Sequence, residues 1–120
     1  HDTARQYLSL LVGGQTDIQK TLEVYREYAK LADRPGLPQH LYARLAAAFL
    51  DAGHISDGRK ILAELIRRRP NPETVPALLL RLANALEREG MPARAEKYRQ
   101  ILRRRYPHSQ EARLAEQRRR

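Results

Sequence analysis

The chain has 120 residues, 42% of them hydrophobic, and no cysteine, which is enough to bury one core without staples and excludes disulfide and thiolate chemistry. Its net charge of +9 is uneven: residues 1 to 60 hold eight Lys and Arg against seven Asp and Glu, residues 61 to 120 fifteen against seven. That balance raises the case for an anionic partner, and no apolar run approaches the roughly 20 residues that cross a bilayer.

Apolar residues recur at helical intervals nearly throughout, and the breaks fall at Gly13-Gly14, Arg34 to Pro38, Gly53, Pro70 to Pro72, Gly90 and Pro107. No strand pattern competes, so the expected fold is all-α, with about seven helices joined by short turns. The first runs from about Thr3 to Val12. The second begins at Thr16, whose hydroxyl suits a capping box with Gln19, and runs to about Ala32 with Ile18, Leu22, Tyr25 and Ala29 on one face. A third spans about Pro38 to Ala52, and a fourth, capped by Ser56, reaches about Arg69. Asn71-Pro72 opens the fifth, with Pro76 still in its first turn. Pro92 opens the sixth, to about Arg105, and Ser109 caps a short last helix.

Nothing in this order builds a catalytic site. His1, His40, His54 and His108 are scattered, with no pair at metal-binding spacing, so no metal or cofactor is expected. The stretch Gly13 to Asp17 lacks the later Gly-Lys-Ser/Thr of a phosphate loop and reads as a simple turn. Acidic side chains alternate with basic ones along helices, as in Glu23, Arg26, Glu27 and Lys30, the pattern of a solvated ion-paired face.

Sliding the chain on itself by 37 residues places Leu45 on Leu82, Ala46 on Ala83, Phe49 on Leu86, Gly53 on Gly90, Gly58 on Ala95, Leu65 on Leu102 and Pro70 on Pro107. The small residues suit positions where two helices of a hairpin approach closely, and the glycines suit left-handed turns. This order of landmarks resembles the tetratricopeptide repeat, on Tyr42, Leu45, Ala46, Phe49, Gly58, Leu62 and Pro70 in one copy and Leu79, Leu82, Ala83, Leu86, Ala95 and Pro107 in the next. The period exceeds the family's usual length of about 34 residues, with the excess expected at Glu73 to Val75. Arg99 stands where the family has an aromatic or aliphatic residue, and Tyr98 is expected to take that packing role. Residues 1–120 then form a single domain: a degenerate repeat at 1–35, repeats at 39–70 and 76–107, and a capping helix at 109–120.

The resemblance implies antiparallel helix-turn-helix units stacked as a short right-handed superhelical solenoid, a noncatalytic scaffold whose first helices line a concave groove for a peptide or partner helix. Helical projection leaves His40, Arg44, Ala47 and Asp51 free on one such helix and Leu80, Arg81, Asn84 and Arg88 on the next. Arginines for charge-assisted bonds, an asparagine for peptide backbone and a leucine for apolar contact suit an acidic segment. The segment Tyr106, Pro107, Ser109, Ala112 and Ala115 also resembles the joint between repeats in bacterial envelope proteins of this superfamily. Starting on His1, the chain reads as a fragment or processed form of a soluble protein, of the cytoplasm or associated with a bacterial envelope.

The triplets Arg67 to Arg69 and Arg103 to Arg105 share the repeat's period and fall in the last turns of second helices, where cations meet the negative end of the helix dipole. Three consecutive residues fan around a helix, so a triplet cannot present all its charge to one phosphate backbone. A basic domain binding nucleic acid or an anionic membrane surface is the competing reading, with Arg94, Lys97 and Arg104 as its best stripe.

Overall fold

The computed structural model describes residues 17–31 and 36–119, with side chains to residue 117. These form six helices: α1 (Ile18–Ala29), α2 (Gln39–Asp51), α3 (Ile55–Arg67), α4 (Thr74–Arg88), α5 (Pro92–Arg105) and α6 (Gln110–Arg119). The helix expected at Thr3 to Val12 lies outside the described residues, as do Thr16 and Ala32.

The helices pair as hairpins. The most extensive packing joins α2 to α3 and α4 to α5. α2 also packs on α4 and α4 on α6, while α1 packs against α2, α3 against α4 and α5 against α6. The first helices of successive hairpins, α2, α4 and α6, therefore form one layer. α1, α3 and α5 form the other.

The two hairpin turns are built alike. After α2, the Gly53 amide donates to the Leu50 carbonyl and the His54 amide to Phe49; after α4, Gly90 donates to Glu87 and Met91 to Leu86. Each is the paired C-terminal bond pattern that closes a helix on a left-handed residue, here Gly53 at φ 88° and Gly90 at φ 76°. His54 and Met91 then begin the next helix, since their carbonyls accept from Gly58 and Ala95. This is why Ser56 is not the cap expected for α3: the turn is so short that the residue ending one helix also starts the other, which places Ser56 inside the first turn.

Packing follows the 37-residue overlay. Leu45, Leu82, Ala46, Ala83, Phe49, Leu65, Ala95 and Leu102 are all fully buried. At Gly58 a Cβ would lie 2.7 Å from the Leu50 side chain, so α2 and α3 meet more closely there than a larger residue permits. α1 docks on this core through Leu22 and Tyr28, with Tyr25 edge-on to Phe49 at 6.1 Å. Its cap is Asp17, whose side chain accepts from the Gln19 amide at 3.0 Å, in place of the Thr16 box.

The joints between hairpins differ from one another. α3 ends at Arg67, Arg69 takes φ 52°, and α4 starts at Thr74. Relative to α2, α4 begins two positions earlier in the overlay and is 15 residues long against 13, so Thr74 and Val75 take up part of the longer period as extra helix. Pro76 is buried in that first turn, where no intrahelical donor is lost. The α5 to α6 joint is tighter: the Ser109 hydroxyl donates to the Tyr106 carbonyl at 2.7 Å and accepts from the Ala112 amide at 3.0 Å, the cap expected for the last helix.

Arg99 departs from expectation. It is itself buried, 6% exposed, whereas Tyr98 is only half-buried. The apolar slot is filled by the stem of Arg99, and its charge is met by Glu87 at 2.9 Å and Glu96 at 3.2 Å. Its sequence neighbour Tyr98 points to the side of α5 that faces α3, with Ile101.

Candidate functional site

The layer of first helices carries a cavity of about 350 Å³ lined by Asp51, Leu80, Arg81, Asn84 and Arg88 together with Ala77 and Glu111. Five of the eight residues expected in the groove thus converge on one cavity between α2, α4 and the start of α6. His40 and Arg44 are exposed and Ala47 half-buried on α2, at helical spacing from Asp51 but outside the cavity lining.

Charge in the cavity is mixed. Arg81 donates to Asp51 at 2.5 Å across α4 and α2, and the Arg88 guanidinium donates to the Leu50 carbonyl at 3.3 Å. Arg88 thereby covers an end carbonyl of α2 with positive charge. Arg44 forms no ion pair among the described residues and is the free cation of the α2 face.

A second cavity, about 410 Å³, continues from Leu80 and Asn84 to Arg99 on α5 and to Leu114, Ala115 and Gln117 on α6. The sequence reading missed this extension because it assigned α6 only a capping role. The signal was present in Arg99, a cation at an apolar position of the repeat. Arg99 joins a chain of charges: Glu96 binds both Arg99 and Arg103, and Arg103 also reaches Glu116 on α6 at 3.7 Å. The Arg103 hydrogen bond, outweighing burial and helped by Arg99, holds the Glu96 carboxyl below its usual range. Burial alone would lower the pKa of the Arg99 guanidinium, but Glu87 and Glu96 raise it above the ordinary value.

Half of the arginines in the two triplets are engaged within the fold. Arg67 and Arg68 both pair with Glu64, and Arg68 lies 4.8 Å from the centre of the Tyr42 ring. Burial pushes the Glu64 carboxyl up, yet these two arginines bring it below its usual range. Arg67 lies in the last turn of α3 as expected, Arg68 is held by Glu64 and covers Tyr42, and Arg69, past the helix end, is exposed. In the second triplet Arg103 is tied to Glu96 and Glu116, while Arg104 and Arg105 are exposed in the last turn of α5. Arg94, Lys97 and Arg104 are exposed along α5, and Ile101 between them is half-buried. The side chains of Arg118 to Arg120 lie outside the described residues.

No group of His, Asp and Glu among the described residues is placed to hold a metal ion, and no described helix is long and apolar enough to cross a membrane. What the geometry defines, among the described residues, is a set of stacked helical hairpins with a polar cavity on the layer of first helices. Residues 77–109, which hold most of α4, all of α5 and the turn to Ser109, match the sequence profile of the tetratricopeptide repeat. No match was found among curated proteins or among solved structures.

Proposed function

We propose that the chain is a noncatalytic scaffold that holds an acidic protein segment, extended or helical, along the face formed by α2 and α4. In this reading 39–70 is a first repeat equivalent to 76–107, residues 1–35 are a degenerate repeat ending in α1, and 109–120 cap the array. The observation that carries it is the convergence of Asp51, Leu80, Arg81, Asn84 and Arg88 around one cavity on the same layer as Arg44. Arg44 supplies an unpaired cation, and Arg81 exchanges Asp51 for a carboxylate of the incoming segment. Asn84 serves peptide backbone, and Leu80 an apolar side chain. His40 and Ala47 extend the contact along α2.

A displayed peptide library tests this directly. Selection on the wild-type chain is expected to enrich acidic sequences, and the enriched sequences should not be retained by the Arg44→Glu, Arg81→Glu double variant. Enrichment without acidic bias, or full retention by the double variant, overturns the groove as the site. Capture from a lysate with and without nuclease separates the charge-driven alternative, because partners bridged by nucleic acid disappear on nuclease treatment and partners held by the groove do not.

A further inference from the structure

We propose that the cavity between α4, α5 and α6, lined by Leu80, Asn84, Arg99, Leu114, Ala115 and Gln117, is a subsite for a neutral amide group of the bound segment. The proposal rests on the groove reading above and specifies the chemistry of its α6 end.

Three observations combine. Arg99 is 6% exposed, and its Nη1 is buried with no hydrogen-bond partner although its Nε and Nη2 are both taken by carboxylates. A buried donor left unmade is costly, about 1–3 kcal/mol, and an acceptor that reaches it from the cavity once Leu114 and Gln117 turn aside removes that cost. The cavity, about 410 Å³, is more than ten times the roughly 30 Å³ share of one water and falls in the range of ligand pockets.

The resident charges select the acceptor. Two carboxylates, Glu87 and Glu96, already neutralise Arg99, and Glu116 stands beyond Arg103. A third carboxylate entering here meets like charge, whereas a carbonyl oxygen takes the free N–H without it. Asn84 both donates and accepts, so it complements the N–H and C=O of an amide. Leu80 and Leu114 supply the apolar walls, Leu114 being 44% exposed.

The α6 wall is the one able to give way. α6 buries only Ala112 and Ala115 among its described side chains, and its ion pair to α5 is long at 3.7 Å. Leu114 and Gln117 are exposed, so their rotation opens a path toward Arg99. The segment that fits is acidic where it crosses α2 and α4 and presents a glutamine, asparagine or backbone amide where it reaches α6.

The test uses two probes of equal shape, isobutyramide and isobutyrate, titrated at constant ionic strength into the isotopically labelled full chain. Isobutyramide should shift the Asn84 side-chain amide, the Arg99 Nε–H and the Ala115 amide saturably, with isobutyrate at least about fivefold weaker. Arg99→Met removes the donor but leaves Glu87 and Glu96 without it and so risks the fold. Leu114→Arg, at an exposed position, fills the cavity instead and should abolish the shifts while helicity is kept. Equal or tighter binding of isobutyrate, shifts that survive Leu114→Arg, or no saturable shift with isobutyramide each overturn the subsite. Loss of the subsite with peptide selection still sensitive to Arg44 and Arg81 leaves the groove standing. The reverse pattern, saturable amide binding with peptide selection indifferent to both arginines, removes the groove and keeps the cavity.

Discussion

Backbone conformation gives the sharpest tests at single residues, because Gly90 and Arg69 occupy the same left-handed region for opposite reasons. At Gly90, φ is 76° and a Cβ would meet nothing within 4 Å, so Gly90→Ala isolates the backbone strain and should cost about 1–2 kcal/mol in urea unfolding. At Arg69, φ is 52° in a residue with a side chain. Arg69→Gly should therefore stabilise, by up to about 1 kcal/mol after the entropy of glycine is subtracted. Gly58→Ala sets a steric clash, its new Cβ lying 2.7 Å from Leu50, against the roughly 0.5–1 kcal/mol that alanine gains over glycine inside a helix. Overpacking of this kind costs about 1–3 kcal/mol, and the same melt that ranks the Gly90 variant will read it. Arg99 illustrates what residue type alone conceals. An arginine at an apolar position looks like a broken repeat until Glu96, one turn before it on α5, and Glu87, from the end of α4, are seen to meet its charge together.

Between elements, the charged ladder of α3 and α5 makes stability depend on acid. Glu64 and Glu96 are held below their usual pKa in the folded chain by Arg67, Arg68, Arg99 and Arg103, so the folded state binds fewer protons than the unfolded one. Their contribution is complete above the unfolded value of about 4.3 and is lost as pH falls through the lower folded values. The urea midpoint should drop on acidification below about pH 4.3, and Glu64→Gln with Glu96→Gln should flatten that drop while lowering stability at neutral pH. A pH profile of the double variant parallel to that of the wild type would separate these glutamates from the acid sensitivity. Most of the element order was legible from Gly53, Gly90, Pro92 and Ser109, because turn chemistry is local. The cap of α3 was not, since it depends on how the end of α2 meets the start of α3; the cap of α1 is the local bond of Gln19 to Asp17, and α4 starts two residues ahead of the overlay. Of the cavity lining, Asp51 on α2 and Leu80, Arg81, Asn84 and Arg88 on α4 followed from helical projection, His40, Arg44 and Ala47 lie outside it, and the α6 wall needed the tertiary placement of Leu114 and Gln117.

Across the whole molecule, repetition converts a one-dimensional sequence period into a layered scaffold, with α2, α4 and α6 side by side and α1, α3 and α5 behind them. The net charge of +9 lies mostly in the second half of the chain, with Arg94, Lys97, Arg104 and Arg105 exposed along α5. Arg67, Arg68, Arg81, Arg99 and Arg103 are engaged by acidic side chains. In the proposed groove reading, attraction of an acidic segment weakens with salt and specificity rests on Arg44, Arg81, Asn84 and Arg88. Arg81 is exposed and its pair with Asp51 bridges two surfaces, so its replacement costs at most about 1 kcal/mol of stability. The decisive measurement is therefore the affinity of a selected acidic peptide for the wild-type chain and for Arg44→Glu, Arg81→Glu, with helicity followed in parallel. The account predicts a loss of at least about tenfold, equivalent to about 1.4 kcal/mol, at unchanged helicity; equal affinity for the two proteins would contradict it.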